Sequence, residues 1–237
     1  MKKKLLAGLA AGVLMIFGAR SSQATLFERG SGLIYDDVLD ITWMQDANYS
    51  VTSGYWDTLG YNDPQWSPGM MTWSEALQWT SQLQYGGYTD WRLPEILPVN
   101  GVSYNYTFAD NGSTDDGYNI SASGTVYEGS TGSEQANLFY SSLGNAPYSL
   151  QSTGPFYNIQ LGRYWSGTEY PPKSSLAWDF SFSHGSQHNS TKAANVYAWA
   201  VRDGDVSPVP EPTTMLLFGT GIAGLIGTRR KKNRMQT

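Results

Sequence analysis

Thr72-Trp73-Ser74-Glu75-Ala76-Leu77, followed by Gly86-Gly87-Tyr88-Thr89-Asp90-Trp91-Arg92-Leu93-Pro94, is the stretch from which the fold is read. Thr72 and Glu75 have the spacing of a capping box: the threonine hydroxyl accepts from the amide at the third helical position, and the glutamate reaches back to the threonine amide. A helix is predicted from Trp73 to about Gln84, with Trp73, Ala76, Leu77, Thr80 and Leu83 on one face. Gly86-Gly87 stops it, and Tyr88 to Pro94 forms a tight turn. In that turn Trp91 is expected to fill the core, with Arg92 paired to a carboxylate or to carbonyls beneath the loops.

Working outward, Gly32 to Asp37 and Leu39 to Met44 are predicted as two short strands around an acidic turn. Residues 46 to 70 are loaded with Tyr, Trp, Gly, Asn and Pro and have no helical period, so a long loop is expected. Residues 98 to 132 form a second long insertion. Ser133 caps a second helix, Glu134 to Leu143, closed by Gly144. The final third reads as antiparallel sheet: Tyr164 to Thr168 is one strand, Leu176 to Ser183 another, and Asn195 to Asp203 pairs with it across a turn from His184 to Ala194. Trp43, Trp165, Trp178 and Trp199 fall on these strands and are expected in the core.

The two ends have their own chemistry. Lys2-Lys3-Lys4, the apolar run Leu5 to Ala19 and Ser22-Gln23-Ala24 have the order of an export signal, with cleavage expected after Ala24. At the other end Val209-Pro210-Glu211-Pro212 precedes an apolar run from Met215 to Gly227, then Arg229-Arg230-Lys231-Lys232. Two prolines hold that motif extended for a processing enzyme. The apolar run, as a helix, reaches roughly 20 Å at about 1.5 Å per residue, a short membrane span. The basic cluster stays on the cytoplasmic side. This arrangement resembles the PEP-CTERM sorting signal of bacteria that make exopolysaccharide. The resemblance implies an exosortase partner that cuts at Pro-Glu-Pro and transient insertion in the inner membrane. The expected organisation is a signal peptide at 1–24, one domain at 25–206 and a sorting signal at 207–237 with a membrane segment at 213–228.

The whole chain has a formal charge of −5, but residues 25 to 207 hold 6 Lys and Arg against 19 Asp and Glu, a balance of −13. Such a domain repels nucleic acid and polyanionic glycans and leaves neutral sugars, cations and basic surfaces as partners. The chain has no cysteine, which excludes disulfide and thiol chemistry.

The internal anchors occur in a recognisable order. They are Thr42-Trp43-Met44, Thr72 to Leu77, Gly86 to Pro94, Tyr164-Trp165-Ser166-Gly167-Thr168-Glu169-Tyr170, Ala177-Trp178-Asp179-Phe180 and Ala200-Val201-Arg202-Asp203. Together they resemble the Lcl C-terminal domain family, placed in the C-type-lectin-like superfamily, over roughly residues 30 to 205. The resemblance implies an α+β fold: two helices packed on a small twisted antiparallel sheet, long loops, and chain ends close together. It carries over no catalytic residues. A collagen-like adhesin with this domain binds sulfated polysaccharide, but the acidic balance here points to a different ligand class.

Tyr55, Trp56, Tyr61 and Trp66 are the ligand-binding candidates, because aromatic faces on loops stack on sugar rings; the alternative is a loop mini-core. Asp110, Asn111, Asp115 and Asp116 are rich in oxygen, as calcium requires, yet Gly112 takes the place of a ligand in the EF-hand pattern, so a solvated acidic loop competes with a calcium site. The same holds for Asp36, Asp37 and Asp40. His184 and His188 are the only histidines and read as exposed turn residues without a third metal ligand. No nucleophile elbow or carboxylate pair stands out. The expected function is that of an exported, non-enzymatic module, without an obligatory cofactor, that holds neutral extracellular polysaccharide or a matrix protein at the cell surface or in the matrix. The alternatives are an adhesive protein that binds no sugar and a polysaccharide-modifying enzyme.

Overall fold

The structure is a computed structural model that describes residues 25–61 and 67–206. Strands β1 (Leu26–Gly30), β2 (Leu33–Asp36) and β3 (Ile41–Met44) form an antiparallel meander. The acidic turn between β2 and β3 is held from inside: the fully buried Asp36 accepts from the amides of Val38 and Leu39 at 3.1 and 3.2 Å. Asp40, in the left-handed region, accepts from the Tyr35 hydroxyl.

The expected loop at 46–70 is instead partly helical. It holds a short α1 (Tyr49–Thr52), a 3-10 turn at Trp56–Leu59, and β4 (Met70–Met71). Single turns this short carry no period for a sequence to display. Helix α2 (Trp73–Gln82) starts on the predicted capping box: Glu75 Oε2 accepts from the Thr72 amide at 2.8 Å, and Thr72 Oγ1 accepts from the Glu75 amide. It ends two residues earlier than expected, where Leu83 turns extended. Ala76, Trp79 and Thr80 are its fully buried face, so Trp79 rather than Trp73 and Leu77 anchors it. Gly86 and Gly87, both at positive φ, make the following turn, closed by Tyr85 and Tyr88.

Strands β5 (Phe108–Ala109) and β6 (Asp116–Tyr118) arise within the long insertion. Ser133 caps α3 (Glu134–Asn137), its Oγ accepting from the Ala136 amide, and the helix widens into a π turn at Leu138–Ser142 before Gly144 at φ 67°. The remaining strands are β7 (Arg163–Glu169), β8 (Leu176–Ser181), β9 (Ser186–Thr191), β10 (Val196–Tyr197) and β11 (Val201–Asp203).

These strands form two sheets rather than one: β1-β2-β3-β11 and β4-β10-β7-β8-β9-β6-β5. The second is mixed, with parallel pairings between β10 and β7 and between β5 and β6. The partner of β8 is β9, not residues 195–203, so His188 stands on a strand and not in a turn. The segment 195–203 divides between the sheets through Ala198-Trp199-Ala200, all fully buried. Trp199 is the junction. Its Nε1 donates to Met44 O at 2.7 Å, and its ring meets Trp43 and Phe156 at 5.0 Å and Phe182 at 5.5 Å. Phe139 of the π turn packs on Phe180 and Phe182, bringing the second helical segment onto the same core. The ends of the domain meet as expected: β1 and β11 lie in one sheet, and Arg29 forms a bidentate bond with Asp205 at 2.7 Å. The whole is an α+β mixture dominated by strands.

Candidate functional site

The turn after α2 is a structural clamp, as predicted. Trp91 is 4% exposed. Arg92 donates to both Glu134 oxygens at 2.8 and 2.7 Å and to Asp203 Oδ1 at 2.9 and 2.6 Å, joining the turn to α3 and β11. Every nitrogen of the Arg92 guanidinium is engaged within this clamp.

Three of the four predicted loop aromatics fold back on α2 and are half-buried. Tyr55 lies against Trp79, Trp56 Nε1 donates to Met70 O at 2.8 Å, and Tyr61 stacks on Trp56 at 6.1 Å. The Tyr61 hydroxyl donates to Glu75 Oε2 at 2.6 Å; burial first, and the neighbouring carboxylate second, push this phenol up to about 12. They brace the capping box. Trp66 lies outside the described residues, as do Val209, Pro210, Glu211, Pro212 and the predicted membrane segment 213–228. Among the described residues no helix is long and apolar enough to cross a membrane.

The oxygen-rich stretch does not converge. Asp110 and Asn111 are exposed, and Asn111 Oδ1 accepts from the amide and hydroxyl of Ser113. Asp115 is fully buried and accepts from the amides of Val99 and Asn105 at 2.6 and 2.7 Å, so it organises the insertion. Burial raises its carboxyl above the usual range, while those two amides pull the other way. Asp116 points elsewhere, to His188. Among the described residues no three His, Asp or Glu side chains group to hold a metal ion.

What the fold does assemble is a polar and aromatic face on the larger sheet. Pairing runs Phe108 to Asp116 across β5 and β6, and Trp165 to Asp179 to His188 across β7, β8 and β9. His188 Nδ1 donates to Asp116 Oδ1 at 2.6 Å, which closes this row across five strands. Opposed residues on neighbouring strands share a face. Gly117 makes the close approach of β5 possible: at φ 129° it is conformationally a glycine position, and a Cβ there would meet Ala109 O. Phe108, 58% exposed, therefore stacks on His188 with centroids 5.9 Å apart and planes within 9°.

Two groups in this row keep unused hydrogen-bonding capacity. Because the Asp116 carboxylate takes the proton-bearing Nδ1 of His188, the Nε2 of a neutral ring is an acceptor without a partner among the described residues. Asp179 is fully buried and neither carboxylate oxygen has a hydrogen-bond partner. Its nearest cation is Arg163 Nη1, 3.8 Å away, but that guanidinium is half exposed and donates instead to Ser190 Oγ at 2.6 Å. Burial pushes the Asp179 carboxyl up, and the nearby Ser190, Arg163 and His188 only partly oppose it. The arrangement offers hydroxyl-bearing ligands an imidazole acceptor and one guanidinium donor beside an exposed ring, while the Asp179 oxygens lie beneath the surface.

More rings flank the row. Tyr118 meets Phe108 at 6.2 Å and the exposed Tyr148 at 4.8 Å, and Tyr148 meets His184 at 6.2 Å. On the opposite face of β8, Tyr104 and Tyr106 stack on the buried Trp178, and Tyr170 meets Tyr106 at 5.2 Å. In sequence these residues are scattered over three segments; only the unexpected β5–β6 and β8–β9 pairings bring them together. A separate open groove of about 690 Å³ between residues 97–102 and 126–132 has Glu128 as the one carboxylate among its lining residues.

A family model described as Lcl C-terminal domain matches residues 32–202, and one described as PEP-CTERM protein-sorting motif matches residues 208–231. No curated protein and no solved structure matches the chain. The second match marks an exported protein with an exosortase-type processing partner.

Proposed function

The chain belongs to the Lcl C-terminal domain family, and from that premise we propose that it is a non-catalytic module that binds neutral extracellular polysaccharide on the sheet face around Phe108 and His188. After removal of its signal peptide and processing at Val209-Pro210-Glu211-Pro212, it acts at the outer surface or in the surrounding matrix. The observation that carries the reading is the exposed Phe108 ring stacked on a histidine whose second nitrogen is unengaged, beside the acidic and guanidinium groups of Asp116 and Arg163. Aromatic surface supplies contact area at low entropic cost, and the planar polar groups address hydroxyls. The −13 balance of residues 25 to 207 favours an uncharged ligand over a polyanion. Helical segments around a mostly antiparallel core, with the domain ends adjoining, support a C-type-lectin-like fold.

The test is a glycan array of the processed protein, run with and without calcium, together with retention on the producing cells' own polysaccharide. Binding to neutral glycans that is equal in both conditions and lost in Phe108→Ala supports the proposal. Silence on the array together with no retention overturns it.

A further inference from the structure

We infer that this face recognises the interior of a polysaccharide chain, several sugar residues at a time, rather than a chain end or a free monosaccharide; the inference rests on the glycan reading above. A site for a small ligand encloses it, and most of the ligand's surface is buried. Here the ring surfaces are spread along an open face. Phe108 and Tyr148 are 58% and 66% exposed, and Tyr118 bridges them with centroid steps of 6.2 and 4.8 Å. The planes of Phe108 and Tyr118 are nearly perpendicular and those of Tyr118 and Tyr148 differ by 35°, so the rings offer faces and edges at successive points of the surface, more than one sugar covers. Polar groups lie among these rings: His188, bonded to Asp116, stacks on Phe108 and meets Tyr118 at 6.3 Å. Each contact by itself is weak. Several contacts on one polymer act together, because after the first binds the rest are intramolecular.

The experiment uses the full processed protein and the neutral exopolysaccharide fraction of the producing cells. Partial hydrolysates of that fraction, graded from monosaccharide upward, compete for retention of the protein on immobilised polymer. Competition is expected to be absent for the monosaccharide and to strengthen at least tenfold between disaccharide and the longer oligomers before it levels off. Tyr148→Ala, at an exposed position, should level off at a shorter oligomer, whereas Phe108→Ala should weaken every length. Both variants should melt within error of the parent. A monosaccharide that displaces the polymer as well as a long oligomer does overturns the inference and leaves the glycan reading standing. Failure of any neutral polymer to retain the parent protein overturns both.

Discussion

Replacing Arg92 with methionine isolates the ion cluster that ties the turn after α2 to α3 and β11. The two arms of that cluster differ in environment. The Asp203 side chain is 79% exposed, and an ion pair in that setting contributes about 0–1 kcal/mol. The Glu134 side chain is 11% exposed and is gripped by both terminal guanidinium nitrogens. Removing Arg92 leaves a nearly buried carboxylate uncompensated, a loss of about 3–5 kcal/mol. The low end applies, because the Glu95 amide still donates to Glu134 Oε2 at 2.7 Å. For a domain of this size each kcal/mol shifts Tm by roughly 2–4 °C, so Arg92→Met should melt roughly 6–12 °C lower. Differential scanning calorimetry at neutral pH reads this directly. Adding Glu134→Gln, which removes the stranded charge and keeps an acceptor for Glu95, should recover part of the loss. A single-variant loss below about 1 kcal/mol, or a double variant no better than the single, would refute the clamp.

Four further outcomes follow from local geometry. Trp199→Ala, at the junction of the two sheets, should cost about 3–5 kcal/mol in chemical denaturation. Burial tends to raise the Glu75 carboxyl, but the Thr72 and Tyr61 hydroxyls outweigh it and hold it below the usual range. Its stabilisation is therefore present above the unfolded-state value of about 4.5 and is lost as pH falls through the lower folded value; Glu75→Gln should flatten that acid limb of the stability curve. The raised carboxyl of Asp179 has the opposite sign. Ionisation disfavours the folded state as pH rises above the unfolded value, so Asp179→Asn should hold or raise stability at neutral pH by on the order of 1 kcal/mol, with the gain gone in acid. Gly117→Ala, forced against Ala109 O at a φ foreign to side-chain-bearing residues, should detach β5, which circular dichroism and loss of glycan retention together would register.

Local signals were legible in the sequence where a short motif forces its own geometry. The Thr72–Glu75 box, the Ser133 cap, the acidic turn held by Asp36 and the Trp91–Arg92 clamp all depend on contacts that residue identity nearly dictates. Strand pairing was legible only in part. Ser186–Thr191, Ser-Gln-His-Asn-Ser-Thr, has no apolar alternation, because β9 lies in a sheet whose other strands supply the apolar side chains. Residues 195–203 read as one strand because they are rich in apolar residues, yet the chain changes sheets at Trp199. The candidate face was illegible for the same reason: Phe108, Asp116, Asp179 and His188 meet through register, which no local pattern encodes. Tyr55, Trp56 and Tyr61 carried the expected aromatic signal, but Glu75, Met70 O and Trp79 claim them from within the fold.

The most direct measurement is amide and side-chain chemical-shift mapping of the processed protein titrated with the neutral polysaccharide of the producing cells. Perturbations should gather on Phe108, Asp116, Tyr118, Tyr148 and His188 and leave the Trp56 indole unmoved. Shifts centred instead on Trp56 and Tyr61, with the His188 ring untouched at saturation, would contradict a ligand site on the sheet.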